Sequence, residues 1–358
     1  MTFLVAAAGT GGHVFPGLAV GEALVDRGIR REDVLYLGGD RLEASVYPSE
    51  GFPFLQVEIR GLQRSLTPRN LLLPAVMKKA RDRVSGAIEE RGVRAVVGMG
   101  GYVTIPAGLA ARQRRVPFFN SEQNATAGLA NRVAARWAVR TFGAFPDTDG
   151  LPQAVWVGNP VRSPFWDFDR RGLRPQAMER YGLEPGSPVV GVFGGSLGSG
   201  PINEGVSRMV STWAGPPVQV LHLAGERFLH HVTTDGATPG VSWVRRGFED
   251  EMELFYAACD LVVARAGGAV AELTATGTPA ILVPGKFGSS GHQAGNARFL
   301  SLAGASVTVD ENDLPTLGRV VAELLEADRL RSMADAARRI ARPRAAHDIA
   351  DAMIEASR

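Results

Sequence analysis

The sequence predicts an α/β protein of two Rossmann-like lobes joined near residue 158, on three observations. The chain has 358 residues, about twice to three times the usual domain of roughly 100–200 residues. Short apolar runs alternate with longer helical stretches, the pattern of parallel sheets covered by helices on both faces. Glycine is in excess at 43 residues, and its clusters fall just after the apolar runs, where open α/β sheets bind ligands.

In the first half, Phe3–Ala8 reads as a buried strand, followed by a glycine loop and a helix over Pro16–Arg27. Val34–Leu37 is a strand, Leu71–Arg91 has helical spacing, and Ala95–Val97 is a strand followed by a helix at Pro106–Arg115. Val116–Asn120 is a strand and Leu129–Ala138 a helix. After Ala154–Val157, Gly158-Asn159-Pro160 is a turn signal that fits an interdomain linker. The second half repeats the theme. Strands are expected at Pro188–Phe193, Val218–Leu223, Val241–Val244, Leu261–Ala264 and Ala280–Pro284, and helices at Ile202–Val210, Glu251–Cys259, Val270–Thr276 and Gly295–Ala303. From about Leu314 to Ser357 the chain is helical and rich in Ala and Arg.

Composition narrows the function classes. Hydrophobic residues at 45% and charged residues at 21% exclude wholesale disorder. No apolar run approaches the ~18 residues of a bilayer span, and Phe3–Ala8 is too short for a signal-peptide core, so a cytoplasmic location is expected. A single cysteine, Cys259, excludes an internal disulfide and a multi-cysteine metal site. His222, His230, His231 and His347 have no metal-ligand spacing. The net charge is only +2, but residues 60–115 hold twelve Lys/Arg against Asp82, Glu89 and Glu90, a local +9. Such an excess attracts an anionic partner: nucleic acid, phospholipid or a diphosphate.

Three glycine loops carry the chemistry: Ala8-Gly9-Thr10-Gly11-Gly12-His13, Gly98-Met99-Gly100-Gly101-Tyr102 and Gly194-Gly195-Ser196-Leu197-Gly198-Ser199. Each lies between a strand and a helix, where backbone amides approach a ligand closely and favour anions. A fourth strand end carries Arg265-Ala266-Gly267-Gly268, with Glu272 four residues on. No Gly-Lys-Ser/Thr follows any loop, which excludes a Walker P-loop. The second strand ends in Tyr36-Leu37-Gly38 with Asp40 as the nearest acid, which disfavours a nicotinamide dehydrogenase.

These motifs together closely resemble the MurG family, the UDP-N-acetylglucosamine transferases that complete lipid II in bacterial peptidoglycan synthesis. The likeness rests on Gly9–His13 with Val14-Phe15-Pro16-Gly17-Leu18-Ala19, Gly98–Val103, Ser121-Glu122-Gln123-Asn124 with Ala127-Gly128, and Gly158–Arg162. In the second half it rests on Gly194–Ser196 with Gly198 and Asn203, on Arg265 to Pro279, and on His292-Gln293 with Asn296-Ala297. It implies a GT-B architecture, two Rossmann-like domains facing across a cleft. The domains are expected at 1–157 (acceptor and membrane), 158–340 (UDP-GlcNAc) and 341–358, a C-terminal helix packing back on the first. It further implies inverting, metal-independent transfer of GlcNAc from UDP-GlcNAc to the MurNAc 4-hydroxyl of lipid I. No cofactor and no nucleic acid take part, and the chain works at the cytoplasmic face of the membrane as a peripheral protein.

Roles follow residue by residue from that resemblance. His13 is the expected base, because a neutral imidazole is available near neutral pH, and Glu122 is its rival. Thr10, Gly11, Gly12, Asn124, Arg162, Gly195, Ser196, Phe248, Glu249, Glu272, His292 and Gln293 are expected at the donor: Ser196 on the diphosphate, Glu272 on the ribose hydroxyls, Gln293 on the sugar, Phe248 and the Glu249 backbone at uracil. Gly100, Gly101, Tyr102 and Asn203 are expected at the acceptor. Leu72, Leu73, Met77, Lys78, Lys79 and Arg81 join an apolar stretch to a basic one and are expected on an anionic membrane surface. Four departures from the family stand out: Ser121 for a histidine, Leu197 for a glutamine, a segment Arg265–Glu272 about one residue short, and Ser290-Gly291 for an acidic residue. Another GT-B transferase, a UDP-GlcNAc 2-epimerase of similar architecture and a nucleotide-sugar-binding adaptor are the competing readings.

Overall fold

A computed structural model describes residues 1–58, 73–232, 237–285 and 291–358. The chain forms two compact units, Met1–Ser163 with Arg342–Arg358, and Pro164–Ala341. The first unit contains β1 (Thr2–Ala6), α1 (Gly11–Asp26), β2 (Val34–Gly38), α2 (Glu43–Ser49), β3 (Phe54–Gln56), α3 (Leu73–Glu90), β4 (Val93–Gly98), α4 (Thr104–Arg114), β5 (Phe118–Glu122), α5 (Leu129–Ala134), β6 (Arg140–Gly143) and β7 (Val155–Trp156). Its sheet is parallel throughout, in the order β3-β2-β1-β4-β5-β6-β7.

The second unit contains α6 (Arg170–Tyr181), β8 (Val189–Phe193), α7 (Gly200–Ser211), β9 (Val218–Leu223), β10 (Val241–Arg246), α8 (Met252–Ala258), β11 (Leu261–Ala264), α9 (Ala269–Ala275), β12 (Ala280–Leu282), α10 (His292–Leu302), β13 (Ser306–Thr308), α11 (Leu317–Leu324) and α12 (Ala327–Ile340). Its six parallel strands run β10-β9-β8-β11-β12-β13. Renumbered from its own first strand this is 3-2-1-4-5-6, the doubly wound order, and the first sheet begins the same way. The central strands β1, β8 and β11 are buried at every residue, as parallel strands covered on both faces must be.

The chain returns to the first unit through α13 (Ala345–Ala356), which buries Ala345, Ala346, Ile349, Ala350 and Met353. Arg27, just past α1, grips Asp351 of α13 in a bidentate pair from Nε (2.7 Å) and Nη2 (3.0 Å), and Arg94 donates to the Ser357 carbonyl at 3.0 Å.

Several elements differ from the expectations in informative ways. Helix α1 begins at Gly11 rather than Pro16, so Gly11, Gly12 and His13 form its first turn and only the residues before them make the loop. α10 likewise begins at His292 and takes in Gln293. Helices α2 and α6 and strands β3, β6 and β13 have no counterpart in the sequence pattern. α6 carries the breakers Gly172 and Pro175 and buries only Ala177 and Tyr181, yet Asp169 caps its start and Gly182 (φ +64°) ends it.

Candidate active site

In the first unit the expected residues gather beyond the carboxyl ends of β1, β2, β4 and β5. Gly9 takes φ +107°, which lets the chain turn directly off β1. Thr10 is the N-cap of α1, and its carbonyl accepts from His13 N (2.9 Å) and Val14 N (3.1 Å). The amides of Gly11 and Gly12 are thus among the first of a helix, which have no intrahelical acceptor. The half-buried His13 ring lies against the second glycine loop. A Cβ built on Gly100 would stand 2.5 Å from His13 Cδ2 and 2.8 Å from Nε2, and one on Gly101 would overlap the Ala8 carbonyl oxygen. Both glycines also have positive φ, +92° and +78°. No larger residue fits between these two loops.

Glu122 ends β5 and is 2% exposed. Its Oε1 accepts from the amide and the Nδ2 of Asn124, both at 3.0 Å, and its Oε2 from Gly128 N (3.0 Å) and Asn131 Nδ2 (2.8 Å). A carboxylate offers about four acceptor sites, and all are used. Glu122, the expected rival of His13 as base, thus has both carboxylate oxygens engaged within the β5 loop. Ser121, in place of the family histidine, is buried within β5 and shares Gln123 Nε2. Asn124 is drawn to Glu122, and Arg162 lies with its guanidinium carbon 5.3 Å from the Phe15 ring centroid, a cation–π distance.

Tyr102 does not project a free hydroxyl. It donates to Glu43 Oε1 at 3.0 Å, and burial first, then the Glu43 charge, pushes its phenol well above the ordinary range. Glu43 escaped the sequence reading, which stopped at Asp40 because α2 was not foreseen. Its signal in the sequence is an acid five residues past the strand-end glycine Gly38.

In the second unit the third loop turns at Gly195–Gly198, closed by Gly198 N to Gly195 O at 2.8 Å. Gly195, Ser196 and Leu197 are exposed at its tip, Leu197 at 71%. Gly198 (φ +71°) meets the chain at Ala224–Gly225, and any Cβ there would overlap the Ala224 oxygen. Ser199, not Ser196, is the N-cap residue of α7, and its hydroxyl accepts from Arg265 Nη2 at 2.7 Å. Arg265 also donates to the Val283 carbonyl (3.1 Å) and pairs with Glu311 at 2.5 Å, tying the ends of β8, β11 and β12 to one guanidinium.

Glu272 lies in the first turn of α9, half-buried, with one oxygen accepting from Tyr256 Oη at 2.9 Å. Gln293 Oε1 accepts from Gly285 N at 2.7 Å, which turns its amide end toward the chain after β12. Phe248 is 45% exposed, whereas the Glu249 side chain is buried and held by Arg180 (2.8 Å) and Tyr181 (2.8 Å). Burial would raise the Glu249 carboxyl, but these donors outweigh it and hold it below the ordinary range. Asn203, expected at the acceptor, is 4% exposed; its Nδ2 donates to Ala224 O (2.9 Å) and its Oδ1 meets His222 Nε2 (3.0 Å). Its carboxamide is spent inside the unit.

The basic stretch divides by side of α3. Val76 and Met77, partly buried, pack against the core formed by Ala80, Val84 and Ile88. Lys78, Lys79 and Arg83 are exposed, while Arg81 is about two-thirds covered and paired to Asp82 at 2.5 Å. Leu72 lies outside the described residues, as does Ser290, and of Leu73 only the backbone is described. Among the described residues no helix is long and apolar enough to cross a membrane, and no group of His, Cys, Asp and Glu is placed to hold a metal ion.

Comparison with known proteins now bears on these sites. The glycosyltransferase family 28 N-terminal domain matches residues 3–142 and the family 28 C-terminal domain residues 189–352. The UDP-N-acetylglucosamine--N-acetylmuramyl-(pentapeptide) pyrophosphoryl-undecaprenol N-acetylglucosamine transferase of Halorhodospira halophila is 41% identical over 355 residues, covering 98% of this chain and 96% of its own. The protein of the same name from Salinibacter ruber is also 41% identical, over 97% of this chain and 94% of its own. The crystal structure of Acinetobacter baumannii MurG superposes with a TM-score of 0.79 at 27% identity, covering 99% of this chain and 100% of that one. With both domains matched and full-length relatives at this identity, the chain belongs to the MurG family of glycosyltransferases.

Proposed function

We propose that this chain transfers GlcNAc from UDP-GlcNAc to the 4-hydroxyl of MurNAc in lipid I, with inversion at the anomeric carbon and without a metal ion. The observation that carries the reading is the full-length identity to transferases named for that reaction, joined to a histidine and two sets of helix-start amides at strand ends. In the step itself the MurNAc O4 lone pair attacks C1 of GlcNAc while the C1–O bond to the diphosphate breaks. The electron pair leaves with UDP, and the O4 proton passes to His13. Attack opposite to the departing UDP turns the α-linked donor into a β1→4 product.

Each role has a physical support. The exposed tip Gly195-Ser196 with the first amides of α7 meets charge that grows on the diphosphate, where preorganised donors act most strongly. Glu272, in the first turn of α9 beside Tyr256, is the acceptor for the ribose hydroxyls, exposed Phe248 offers a face to uracil, and His292 and Gln293 open α10 toward the sugar. His13 is the base, and Glu122 is the support that holds Asn124 and the β5 loop. Exposed Lys78, Lys79 and Arg83 carry the chain to an anionic membrane surface, placing it peripherally at the cytoplasmic face where its lipid acceptor lies.

The test is to incubate the purified chain with UDP-GlcNAc and a short-chain lipid I analogue in the presence of a chelator. Acceptor-dependent UDP release and a β-linked product are expected. UDP release only with another acceptor, or an α-linked product, would refute the reading.

A further inference from the structure

Glu43 has no part in the reaction as read so far, yet it connects the loops that do. It is 0% exposed, and a carboxylate at that depth persists only when its oxygens are hydrogen-bonded. Oε2 accepts from Gly9 N at 3.1 Å, and Oε1 from Gly39 N at 2.9 Å and Tyr102 Oη at 3.0 Å. The three donors sit just beyond β1, β2 and β4, which are adjacent in the sheet as β2-β1-β4. One side chain therefore clamps three consecutive strand ends. Burial would raise its carboxyl, but the amides of Gly9 and Gly39 and the Tyr102 phenol hold it below the ordinary range, so it stays an acceptor.

The clamp reaches further through close backbone contact. A Cβ on Gly39 would overlap the Tyr102 hydroxyl, and one on Gly101 would overlap Ala8 O. The Gly100 backbone in turn is the wall against which the His13 ring lies. A shift of the β4 loop thus moves both Tyr102 and the surface behind His13.

We propose that Glu43 is a positioning residue of the transfer reaction, holding the β1 and β4 loops in one register so that His13 meets the acceptor in a single geometry. This rests on the reading of His13 as base. Misplacement of a reacting group by about 1 Å can lower a rate ~100-fold, so loss of the clamp should fall on turnover. A purely structural acid would instead lower the melting temperature and donor binding alongside turnover.

Two independent variants reach the same contact. Glu43→Gln keeps the shape, but its NH2 group must then face at least one of the three hydrogen-bond donors. Gly39→Ala keeps the Glu43 carboxylate and drives its methyl into the Tyr102 hydroxyl, 3.2 Å from Glu43 Oε1, and so strains the same contact at a backbone conformation alanine accepts. Both are assayed as the full chain with UDP-GlcNAc and a short-chain lipid I analogue, beside His13→Ala and the double Glu43→Gln/His13→Ala. We expect kcat to fall at least about ten-fold in each single variant, with UDP affinity by calorimetry unchanged and the double variant no slower than His13→Ala. Parent-like turnover in both Glu43→Gln and Gly39→Ala overturns the inference and leaves the base reading intact. A double variant clearly slower than His13→Ala overturns it as well, because Glu43 would then act by another route. Parent-like turnover in His13→Ala removes the base reading and this inference with it, an outcome visible in that single variant alone. Should Glu43→Gln fail to fold, Gly39→Ala decides the same question.

Discussion

The sequence favours His13 as base for its neutral imidazole but keeps Glu122 as a rival, since each is a titratable residue within a glycine-bearing motif. What separates them is hydrogen-bond occupancy, which depends on Asn131 and Gly128 arriving from the next turn. No spacing rule exposes that. His13→Ala should lower kcat at least about 100-fold with an unchanged melting temperature. Glu122→Gln should instead lower stability by about 1–3 kcal/mol, because it sets a new donor against two existing ones. Steady-state kinetics and thermal melts on the two variants check this, and the reverse pattern would exchange the roles. On the donor side, Glu272→Ala should raise KM for UDP-GlcNAc about ten-fold or more, consistent with loss of a hydrogen bond to a charged group. The residue-level features legible in the sequence were those fixed by local backbone geometry: glycines at strand ends and the helix-start positions next to them. The hydrogen bonds of Asn203 to Ala224 and His222 were not legible, because a motif position says nothing about which way a carboxamide is turned.

Among the elements, the strands were the most legible, because parallel strands buried on both faces are nearly continuous apolar runs, as at Val218–Leu223 and Leu261–Ala264. Helix starts were the least legible. Gly11-Gly12 and His292 are poor helix formers, and tertiary placement overrides them in α1 and α10. One buried element carries a pH consequence. His222 on β9 is 0% exposed beside Trp243, and burial, aided by Arg245, pushes its imidazole down to about 4 from an ordinary 6.5. The folded chain keeps it neutral while the unfolded chain protonates it, so the unfolded state binds more protons in that window. Stability is therefore full above pH 6.5 and falls as pH drops toward about 4, by about 3 kcal/mol from this residue. His222→Gln retains a donor for Asn203 and does not titrate, so its melting temperature should fall less steeply between pH 7 and 5 than that of the parent. Parallel slopes would exclude His222 as the source.

For the molecule as a whole, two doubly wound sheets were legible from length and the alternation of elements. The closing of the first unit by the last helix is a long-range contact that local patterns do not encode. Arg27 and Asp351 lie more than three hundred residues apart in the chain. Charge also acts at this scale. The +9 of residues 60–115 presents Lys78, Lys79 and Arg83 on the solvent side of α3 while the apolar side faces the core. Reversing these three to glutamate should abolish co-sedimentation with anionic vesicles and leave transfer to a soluble short-chain acceptor intact; unchanged co-sedimentation would place the membrane contact elsewhere.

The account stands or falls on where the donor's diphosphate sits. A crystal of the chain soaked in UDP measures that directly. The phosphates are expected against Gly195-Ser196 and the start of α7, with the ribose on Glu272 and the uracil beside Phe248. UDP bound away from those residues, with the 194–199 loop unoccupied, would contradict it.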